Sequence, residues 1–527
     1  MSDSPFLPTE NTPLLVDNNA TASSSIPTGQ SSSSSLTAIS NFPDVETVTQ
    51  DSGAIKLDFK LFKSLLWDSI PVILSYILQN SIQTASIVIV GRLGPNELSV
   101  AAFSLMLAFV TGWCVALGGT TALDTLGSQS FTGGSNKTDL SIHFQRCVII
   151  LWILLIPVCF LWAFIEPVLV AFGQPDHLCR DVQQFLRILM LGAPGYIGFE
   201  SLKKYLQCQG IMGASTTVLL LVSPVNVALN IILVHYTSLG LWGSPVAVSI
   251  TYWLCFIVLG VWTSFSTAHK ENGTWGGVNL LVVLELKSCI EFLKLALPGI
   301  LMVGTEWAAF EIVALAAGRL GEIPLAAQSI IMTTDQILNT LPFGIGVAAS
   351  TRVGNLIGAR SPTGAKIAAH AAALLSVIVG TFVMIAMMAS KDVYGLLFSD
   401  DIDVVKLVSK VMPLVASFQV ADGLAGSCGG VLRGQGRQHL GAFFNIVAYY
   451  VLALPMGITM AFHPKINLGL EGLWIGQVVA LFLVGLGEYS VVWLGTDWDL
   501  EVAKGIERNR EEAKRQRLAS AGSDTSI

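Results

Sequence analysis

Charged residues are scarce in this chain of 527 residues: Asp, Glu, Lys and Arg together make up 12% of it, against about 25% in an average soluble domain. Hydrophobic residues make up 52%, and long apolar runs recur from about residue 65 to about residue 495. An apolar run of roughly 20 residues is long enough to cross a bilayer as a helix. The composition therefore excludes an ordinary soluble enzyme and predicts an all-α polytopic membrane protein.

Motifs for nucleotide hydrolysis and metal chemistry are also absent from the sequence. It has no GxxxxGK[ST] loop to hold ATP phosphates and no HExxH pair to bind zinc. The eight cysteines fall mostly within apolar runs, and none shows CxxC spacing, so we expect neither metal nor disulfide chemistry. The sequence thus predicts a protein that is not an enzyme, needs no cofactor and binds no nucleic acid.

Twelve apolar windows give twelve predicted membrane helices. With the amino terminus in the cytosol, 21 of the 29 Lys and Arg residues fall on the cytosolic side and 8 on the far side. This bias predicts that both termini are cytosolic. The predicted organisation is a disordered cytosolic tail at 1–55, an amino-terminal six-helix lobe at 56–270, a cytosolic linker at 271–286, a carboxy-terminal six-helix lobe at 287–498 and a charged cytosolic tail at 499–527.

The two predicted lobes repeat one another at a shift of about 227 residues. GRLG at Gly91 recurs at Gly318, and YLQCQG, which ends at Gly210, resembles VLRGQG, which ends at Gly436. Because the repeated unit has six helices, an even number, both copies cross the membrane in the same sense. We therefore predict two six-helix bundles related by a pseudo-two-fold axis along the membrane normal, with a cavity at their seam, as in many transporters.

Two carboxylates interrupt the apolar stretch GTEWAAFEIVALAAGRLG: Glu306, near the middle of the seventh predicted helix, and Glu311. A carboxylate at the centre of a membrane helix costs roughly 2.5–3.5 kcal/mol, so each one needs a partner, a cavity or a proton. Phe310 stacks at i, i+4 on Glu306, and Glu311 stacks in the same way on Trp307. Alternating carboxylates and aromatic rings suit a cationic, partly aromatic ligand.

Other polar residues extend this candidate site. Asp422 in the tenth helix and Asp335 in the eighth are further candidates to hold a proton or a cation. The repeat aligns Gln79 with Glu306 and places Asn80 beside it, so the matching positions of the first helix are uncharged. We therefore expect proton chemistry to lie in the carboxy-terminal lobe.

The remaining charged residues within the predicted helices have structural interpretations. Asp124 in the second helix and Glu200 in the fourth are expected to be buried acids with structural partners. Arg352 and Arg433 lie at cytosolic helix ends, where we expect them to snorkel toward water or to cap backbone carbonyls.

Four sequence blocks resemble the multidrug and toxic compound extrusion (MATE) family over nearly all of residues 56–498. ALDTLGSQSFTG at Ala122 looks like the family's second-helix signature, and STRVGNLIGAR at Ser350 looks like its eighth-helix counterpart. LPGILMVGTEWAAFE at Leu297 and GGVLRGQGRQ at Gly429 resemble its seventh- and tenth-helix blocks. The EWAAFE block is similar to that of the eukaryotic branch, within which we expect a fungal protein.

The resemblance implies roles for the acids already singled out. It implies proton coupling and cation binding at Glu306, with a secondary role for Glu311, and it places an implicated acid of the tenth helix at Asp422. The prokaryotic branch often has an Asp in the first helix, where this chain has Gln79 and Asn80. An amino-lobe proton site is accordingly not expected.

These observations predict a secondary active antiporter that exports organic cations, xenobiotics or metabolites in exchange for protons by alternating access. The alternatives are sodium coupling through the same acids, a lipid-linked precursor flippase, which would need several bases in its cavity, and a scaffold or receptor that transports nothing. The expected partners are the substrate and the lipid bilayer, and the chain is expected to be a monomer. Glu10, Leu14 and Leu15 match the acidic dileucine pattern ExxxLL, which predicts recognition by a clathrin adaptor and residence in a vacuolar or endosomal membrane in preference to the plasma membrane.

Overall fold

The structure, a computed structural model, describes residues 59–171 and 174–524. The predicted tail at 1–55, with the candidate sorting signal at Glu10, Leu14 and Leu15, lies outside the described residues.

Twelve membrane-crossing segments, α1 to α12, follow one another along the chain. The amino-terminal lobe contains α1 Phe59–Val90, α2 Pro95–Gly133, α3 Asp139–Ala163, α4 Asp176–Leu189 with Ala193–Cys208, α5 Ala214–His235 and α6 Gly243–Phe265. The carboxy-terminal lobe contains α7 Leu286–Leu320, α8 Glu322–Leu338 with Thr340–Gly358, α9 Pro362–Tyr394, α10 Ile402–Gln435, α11 Gln438–Phe462 and α12 Leu470–Leu494. Ten segments are apolar and long enough to cross a membrane as one helix, whereas α4 and α8 are each broken into two. The predicted count of twelve is confirmed.

Each lobe has a hydrophobic core of its own. Trp113, Trp162 and Phe185 are buried together in the amino-terminal lobe, and Phe418 and Trp474 belong to a separate cluster in the carboxy-terminal lobe. The lobes meet along a seam at which α2 packs against α7 and α8, and α1 packs against α8. Two bundles with separate cores and one shared seam are an arrangement in which the lobes can rock against each other.

The repeated QG sequences end equivalent helices in the two lobes. Gly210 follows α4 with φ 78°, and Gly436 follows α10 with φ 83°. Both values lie in the left-handed region, which glycine adopts without the steric penalty of a Cβ atom. The QG sequence is therefore repeated because each lobe needs a glycine in the turn that follows this helix.

Hydrogen bonds join the lobes at the face where α1 begins, which we call the basic face. Thr132 Oγ1 on α2 donates to the Asn355 carbonyl of α8 at 2.6 Å, and Asn355 Nδ2 donates to the Cys208 carbonyl of α4 at 3.2 Å. Gln129 Nε2 donates to the Gly434 carbonyl of α10 at 2.9 Å. The lobes are thus in contact at the basic face, and any space between them lies toward the opposite face, which we call the far face.

A further long helix, α13 Trp498–Asp524, lies across this contact, where the sequence predicted only a charged tail. Arg508 Nη1 donates to Gln129 Oε1 of α2 at 2.7 Å, and Arg508 Nη2 donates to the Gln435 carbonyl of α10 at 2.9 Å. Glu512 forms an ion pair with the buried Arg146 of α3 at 3.0 Å and accepts from Ser288 Oγ of α7 at 2.7 Å. The helix therefore bridges the two lobes at the basic face.

Candidate functional site

A large cavity lies between the lobes on the far-face side of these contacts. It encloses about 1130 Å³, part of it open to solvent. Trp307 and Glu311 of α7 form one wall, and Gln79 and Asn80 of α1 form another. The remaining lining residues are mostly apolar or uncharged: Tyr76, Gln83, Thr84, Ile87, Ala102, Leu105, Met106, Phe109, Leu117, Tyr196, Val303, Gln336, Asn339, Thr340 and Phe343.

A second, smaller cavity of about 530 Å³ extends into the carboxy-terminal lobe. Its lining carries three acids, Glu306, Asp422 and Glu488, and one base, Arg433. Val303, Trp307, Asn339 and Phe343 line both cavities, so these four residues form a common wall. A change of charge or side-chain position in the small cavity can therefore reach the large one directly.

The structure separates the two glutamates of α7. Glu306 lines the small cavity and Glu311 lines the large one. Five residues turn an α-helix by about 140°, which accounts for the two directions. Trp307 lies between them and forms an edge-to-face contact with Phe109 of α2, with ring centroids 4.8 Å apart.

Two of the predicted acids are held by side-chain amides. Asn339 Nδ2 donates to both carboxylate oxygens of Asp422, at 3.4 and 3.2 Å. Gln419 Nε2 donates to Asp335 Oδ1 at 3.2 Å. Asp335 is buried and lies outside the linings of both cavities.

Phe310 faces away from both cavities. It packs in the core of the carboxy-terminal lobe against Phe418, Tyr449 and Trp474, with ring centroids 5.8 to 6.4 Å apart. Of the aromatic rings between the two glutamates, only Trp307 contributes to a cavity wall.

The polar residues of the amino-terminal lobe form a closed network. Lys203 Nζ donates to Glu200 Oε1 at 2.7 Å and to Gln79 Oε1 at 3.0 Å. Gln79 Nε2 in turn donates to Glu200 Oε1 at 2.7 Å and to the Tyr196 hydroxyl at 3.1 Å. Both charged side chains are fully buried. Each charge neutralises the other, so this lobe presents no net charge at the position that corresponds to Glu306.

A second buried charge cluster crosses the seam. Lys204 Nζ contacts both carboxylate oxygens of Asp124, at 2.8 and 3.1 Å, within the amino-terminal lobe. Arg433 Nε of α10 lies 3.5 Å from Asp124 Oδ2, with both side chains buried. This is the one arginine that lines the small cavity, and its charge is directed toward the other lobe.

The expectation that Arg352 and Arg433 snorkel toward water is wrong, because both side chains are buried. Arg352 does bond a backbone carbonyl, since its Nη1 donates to the Leu61 carbonyl of α1 at 3.4 Å. Arg352 is buried, donates to Ser64 Oγ of α1 at 2.7 Å and lies 3.8 Å from Asp68. Arg433 is buried and faces Asp124. Because both arginines lie near helix ends, we expected their guanidinium groups to reach water. At the basic face the neighbouring lobe covers these helix ends, so the guanidinium groups contact protein instead.

Sequence reasoning missed three charged residues of these sites: Glu488, Lys203 and Lys204. The two lysines are fully buried beside acids. The sequence does hold a signal, because Glu200 and Lys203 are spaced i, i+3, which places the two side chains together on one helix face. Glu488 is an acid in the middle of LFLVGLGEYSVVWL and satisfied the same criterion that identified Glu306.

Comparison with known proteins gives a consistent result. The model of the MatE family matches residues 71–232 and 298–459, two copies at a shift of 227 residues, which confirms the internal repeat. An uncharacterized transporter of Schizosaccharomyces pombe is 37% identical over 81% of this chain and 78% of its own length. Multidrug and toxin extrusion protein 2 of Mus musculus is 33% identical over 84% of this chain and 76% of its own length.

Among solved structures, the eukaryotic MATE transporter AtDTX14 superposes with a TM-score of 0.79 at 29% identity and covers 85% of this chain and 99% of its own. MATE structures have twelve helices in two bundles, which confirms the predicted architecture. The family consists of membrane transporters and not enzymes, as the sequence predicted. The chain is therefore a multi-pass membrane protein that belongs to the MATE family of multidrug and toxin extrusion transporters.

Proposed function

We propose that the chain exports organic cations in exchange for protons, with the two ligands bound in different but adjoining cavities. The observation that carries the proposal is the common wall at Trp307, with Glu311 in the large cavity on one side and Glu306 and Asp422 in the small one on the other. The large cavity supplies an aromatic ring and one acid for an organic cation. The small cavity supplies acids that a proton can neutralise.

Coupling follows from charge in a medium of low dielectric constant. With Glu306 and Asp422 ionised, the negative potential at the common wall favours a cation beside Trp307 and Glu311. Proton binding in the small cavity removes part of that potential, so the cation is released on the side to which the large cavity opens. The excess of Lys and Arg at the basic face favours a cytosolic location for that face. In the described conformation the large cavity therefore opens away from the cytosol.

Uptake of a fluorescent organic cation into proteoliposomes tests the proposal. An imposed pH gradient should drive uptake by the parent protein and fail to drive uptake by Glu306→Gln. Glu291→Gln is a matched control, because Glu291 lies on the same helix but is half-exposed and paired with Lys294 at 2.8 Å. Equal uptake by Glu306→Gln and the parent would exclude the role proposed for Glu306.

The same preparation separates the alternatives. A sodium gradient in place of the pH gradient should leave the liposomes without accumulated cation, and accumulation would instead indicate sodium coupling. The lining of the large cavity contains acidic and neutral residues and no Lys or Arg, which disfavours a lipid-linked pyrophosphate as the substrate. A scaffold that transports nothing would show no gradient-driven uptake at all.

For the cellular location, we favour the vacuolar or endosomal membrane because of the ExxxLL pattern at Glu10, Leu14 and Leu15. Replacement of both leucines by alanine should move a fluorescently tagged chain to the plasma membrane. An unchanged distribution would exclude this signal.

A further inference from the structure

Glu488 of α12 is a buried acid for which the proposed coupling has no role so far. Its side chain is fully buried, and neither carboxylate oxygen has a hydrogen-bond partner within the described residues. An ionised carboxylate in such a place is very costly unless it is paired. A protonated, neutral carboxyl avoids this cost.

The surroundings of the Glu488 carboxyl explain why it has no partner. A Cβ atom on Gly441 of α11 would lie 3.0 Å from Glu488 Oε1, and a Cβ atom on Gly429 of α10 would lie 3.3 Å from Oε2. The same two Cβ positions would lie within 2.9 Å of the Met302 side chain of α7. The carboxyl therefore occupies a slot formed by two glycines and a thioether, and these glycines bring no side-chain donor.

The charged and titratable groups that act on Glu488 come from three neighbouring helices. Arg433 and Cys428 are on α10, Glu306 is on α7 and Tyr449 is on α11. Arg433 is the only cation among them. A Cβ atom on Gly429 would lie 3.3 Å from Glu488 Oε2 and 3.8 Å from Arg433 Nη1. The guanidinium is therefore within about 7 Å of the carboxyl, but the two groups are not bonded.

Arg433 forms an ion pair with the other lobe and none with Glu488. Its Nε atom faces Asp124 of α2 at 3.5 Å, and this contact exists only while the lobes touch at the basic face. Asp124 does not depend on Arg433, because Lys204 contacts both of its oxygens from within the same lobe. The arginine can therefore leave Asp124 without stranding an unpaired acid.

We propose that Glu488 is a proton-binding site and that Arg433 exchanges Asp124 for Glu488 when the lobes separate at the basic face. In the described conformation the Glu488 carboxyl holds its proton. Separation breaks the Asp124–Arg433 contact and admits water, and the guanidinium turns to Glu488. The O–H bond of the carboxyl then breaks, the proton passes to water at the basic face, and the carboxylate pairs with Arg433.

Closure of the basic face reverses the exchange. Arg433 returns to Asp124, and the Glu488 carboxylate is again without a partner. Glu306 takes up a proton from water on the far-face side and passes it to Glu488 across the small cavity that both residues line. This inference rests on the proposed proton antiport and adds to it a site of proton release. Arg433 acts here as a positioning residue, because it ties the protonation of Glu488 to the contact between the lobes.

The first test counts protons. In detergent solution the lobes can open at the basic face and take up the cation from that side. Addition of tetraphenylphosphonium to purified protein in weak buffer should therefore release fewer protons per bound cation from Glu488→Gln than from the parent, while the Kd for the cation changes less than threefold. Uptake driven by a pH gradient should fall at least tenfold. Glu471→Gln is the matched control, because Glu471 is on the same helix but pairs with the exposed Lys410 at 2.8 Å, and it should behave like the parent.

A second variant keeps the test decisive if Glu488→Gln does not fold. Asp124→Asn combined with Lys204→Met weakens the hold on Arg433 and leaves no buried ammonium group without its carboxylate, so Arg433 should reach Glu488 without separation of the lobes. The pH profile of uptake by this double variant should then move by about one unit to lower pH.

The inference is overturned if Glu488→Gln releases as many protons as the parent, or if the variant with Asp124→Asn and Lys204→Met keeps the pH profile of the parent. Failure of the underlying antiport is distinguishable, because in that case a pH gradient does not drive uptake even by the parent protein.

Discussion

The two lobes share a sequence repeat but treat their buried acids differently. In the amino-terminal lobe Glu200 has Lys203 at 2.7 Å and Asp124 has Lys204 at 2.8 Å, so each acid has an ammonium group of its own. In the carboxy-terminal lobe the acids of the small cavity share a single arginine, and that arginine faces Asp124 of the other lobe.

The difference shows how structural and functional acids can be distinguished within a membrane. A paired acid stays ionised over a wide pH range, because its partner compensates for lost hydration, and it holds helices together. An acid without a base must take up a proton or a cation, so its state depends on what is bound. The amino-terminal lobe thus has the character of a fixed frame and the carboxy-terminal lobe that of a responsive site.

The largest expected effect is a loss of stability when the Glu200–Lys203 ion pair of the amino-terminal lobe is broken. Glu200→Gln leaves Lys203 buried without its carboxylate and should destabilise the protein by about 3–5 kcal/mol. The double variant with Lys203→Met should recover most of this loss, because neither charge remains. Thermal unfolding in detergent measures both. A double variant no more stable than Glu200→Gln would contradict the view that the pair is mainly a structural neutralisation.

The next largest expected effect is a loss of transport when Asp422 of the carboxy-terminal lobe is neutralised. Asp422→Asn should reduce uptake driven by a pH gradient by about 10–100-fold, equivalent to about 1.4–2.8 kcal/mol, while thermal stability stays the same or rises. Stability should not fall, because the asparagine removes a costly buried charge and keeps an acceptor for Asn339. Initial rates in proteoliposomes and melting temperatures test the two parts. Loss of stability with unchanged transport would show that Asp422 has a structural role and takes no part in coupling.

A paired acid outside the membrane segments extends the comparison. Burial alone would raise the pKa of Glu512 on α13, but His143 and Arg146 outweigh burial and lower this pKa from 4.5 to about 2. Because the folded-state pKa is depressed, the docking of α13 is stabilised above about pH 4.5, and that contribution is lost as the pH falls toward 2.

Glu512→Gln should therefore weaken docking at neutral pH by about 2 kcal/mol. Trypsin should then cut within α13 faster than in the parent protein at neutral pH. Below pH 2, where pepsin replaces trypsin as the protease, the two proteins should be cut within α13 equally fast. Glu511→Gln is the control, because Glu511 is half-exposed. Equal cleavage of the Glu512 variant and the parent at neutral pH would show that the ion pair does not hold α13 in place.

The smallest expected effect is a rise in KM when Trp307 of the common wall is replaced. Trp307→Leu should raise the KM for an aromatic cation by about 2–30-fold, the range expected for the loss of a cation–π contact worth about 0.5–2 kcal/mol. Trp307→Phe should stay closer to the parent because it keeps a ring. A substrate cation without aromatic groups should show the same trend, and an unchanged KM in Trp307→Leu would remove this residue from the substrate site.

Much of the fold could be predicted from the sequence because lipid imposes simple rules on it. Apolar length gave the twelve segments, and the repeat at 227 residues gave the two bundles. Helix α13 was missed because its composition is that of a charged tail, and it is held by partners such as Arg146 and Gln129 that are distant in the sequence. Tertiary contacts of this kind leave no local pattern.

The candidate site was only partly predictable for the same reason. Glu306, Glu311 and Asp422 could be found as acids in apolar helices, but their division between two cavities depends on how α7 is rotated against its neighbours. Pairing could not be assigned either: Lys204 and Arg433 approach Asp124 from α4 and α10, and distances of this kind exist only in the folded chain.

The central claim is that coupling lies in the carboxy-terminal lobe, and a direct comparison of two double variants in proteoliposomes tests it. The account predicts that Glu306→Gln with Asp422→Asn abolishes uptake driven by a pH gradient, while Glu200→Gln with Lys203→Met keeps uptake within about threefold of the parent. The opposite result, gradient-driven uptake that survives the first pair of changes and is lost with the second, would contradict it.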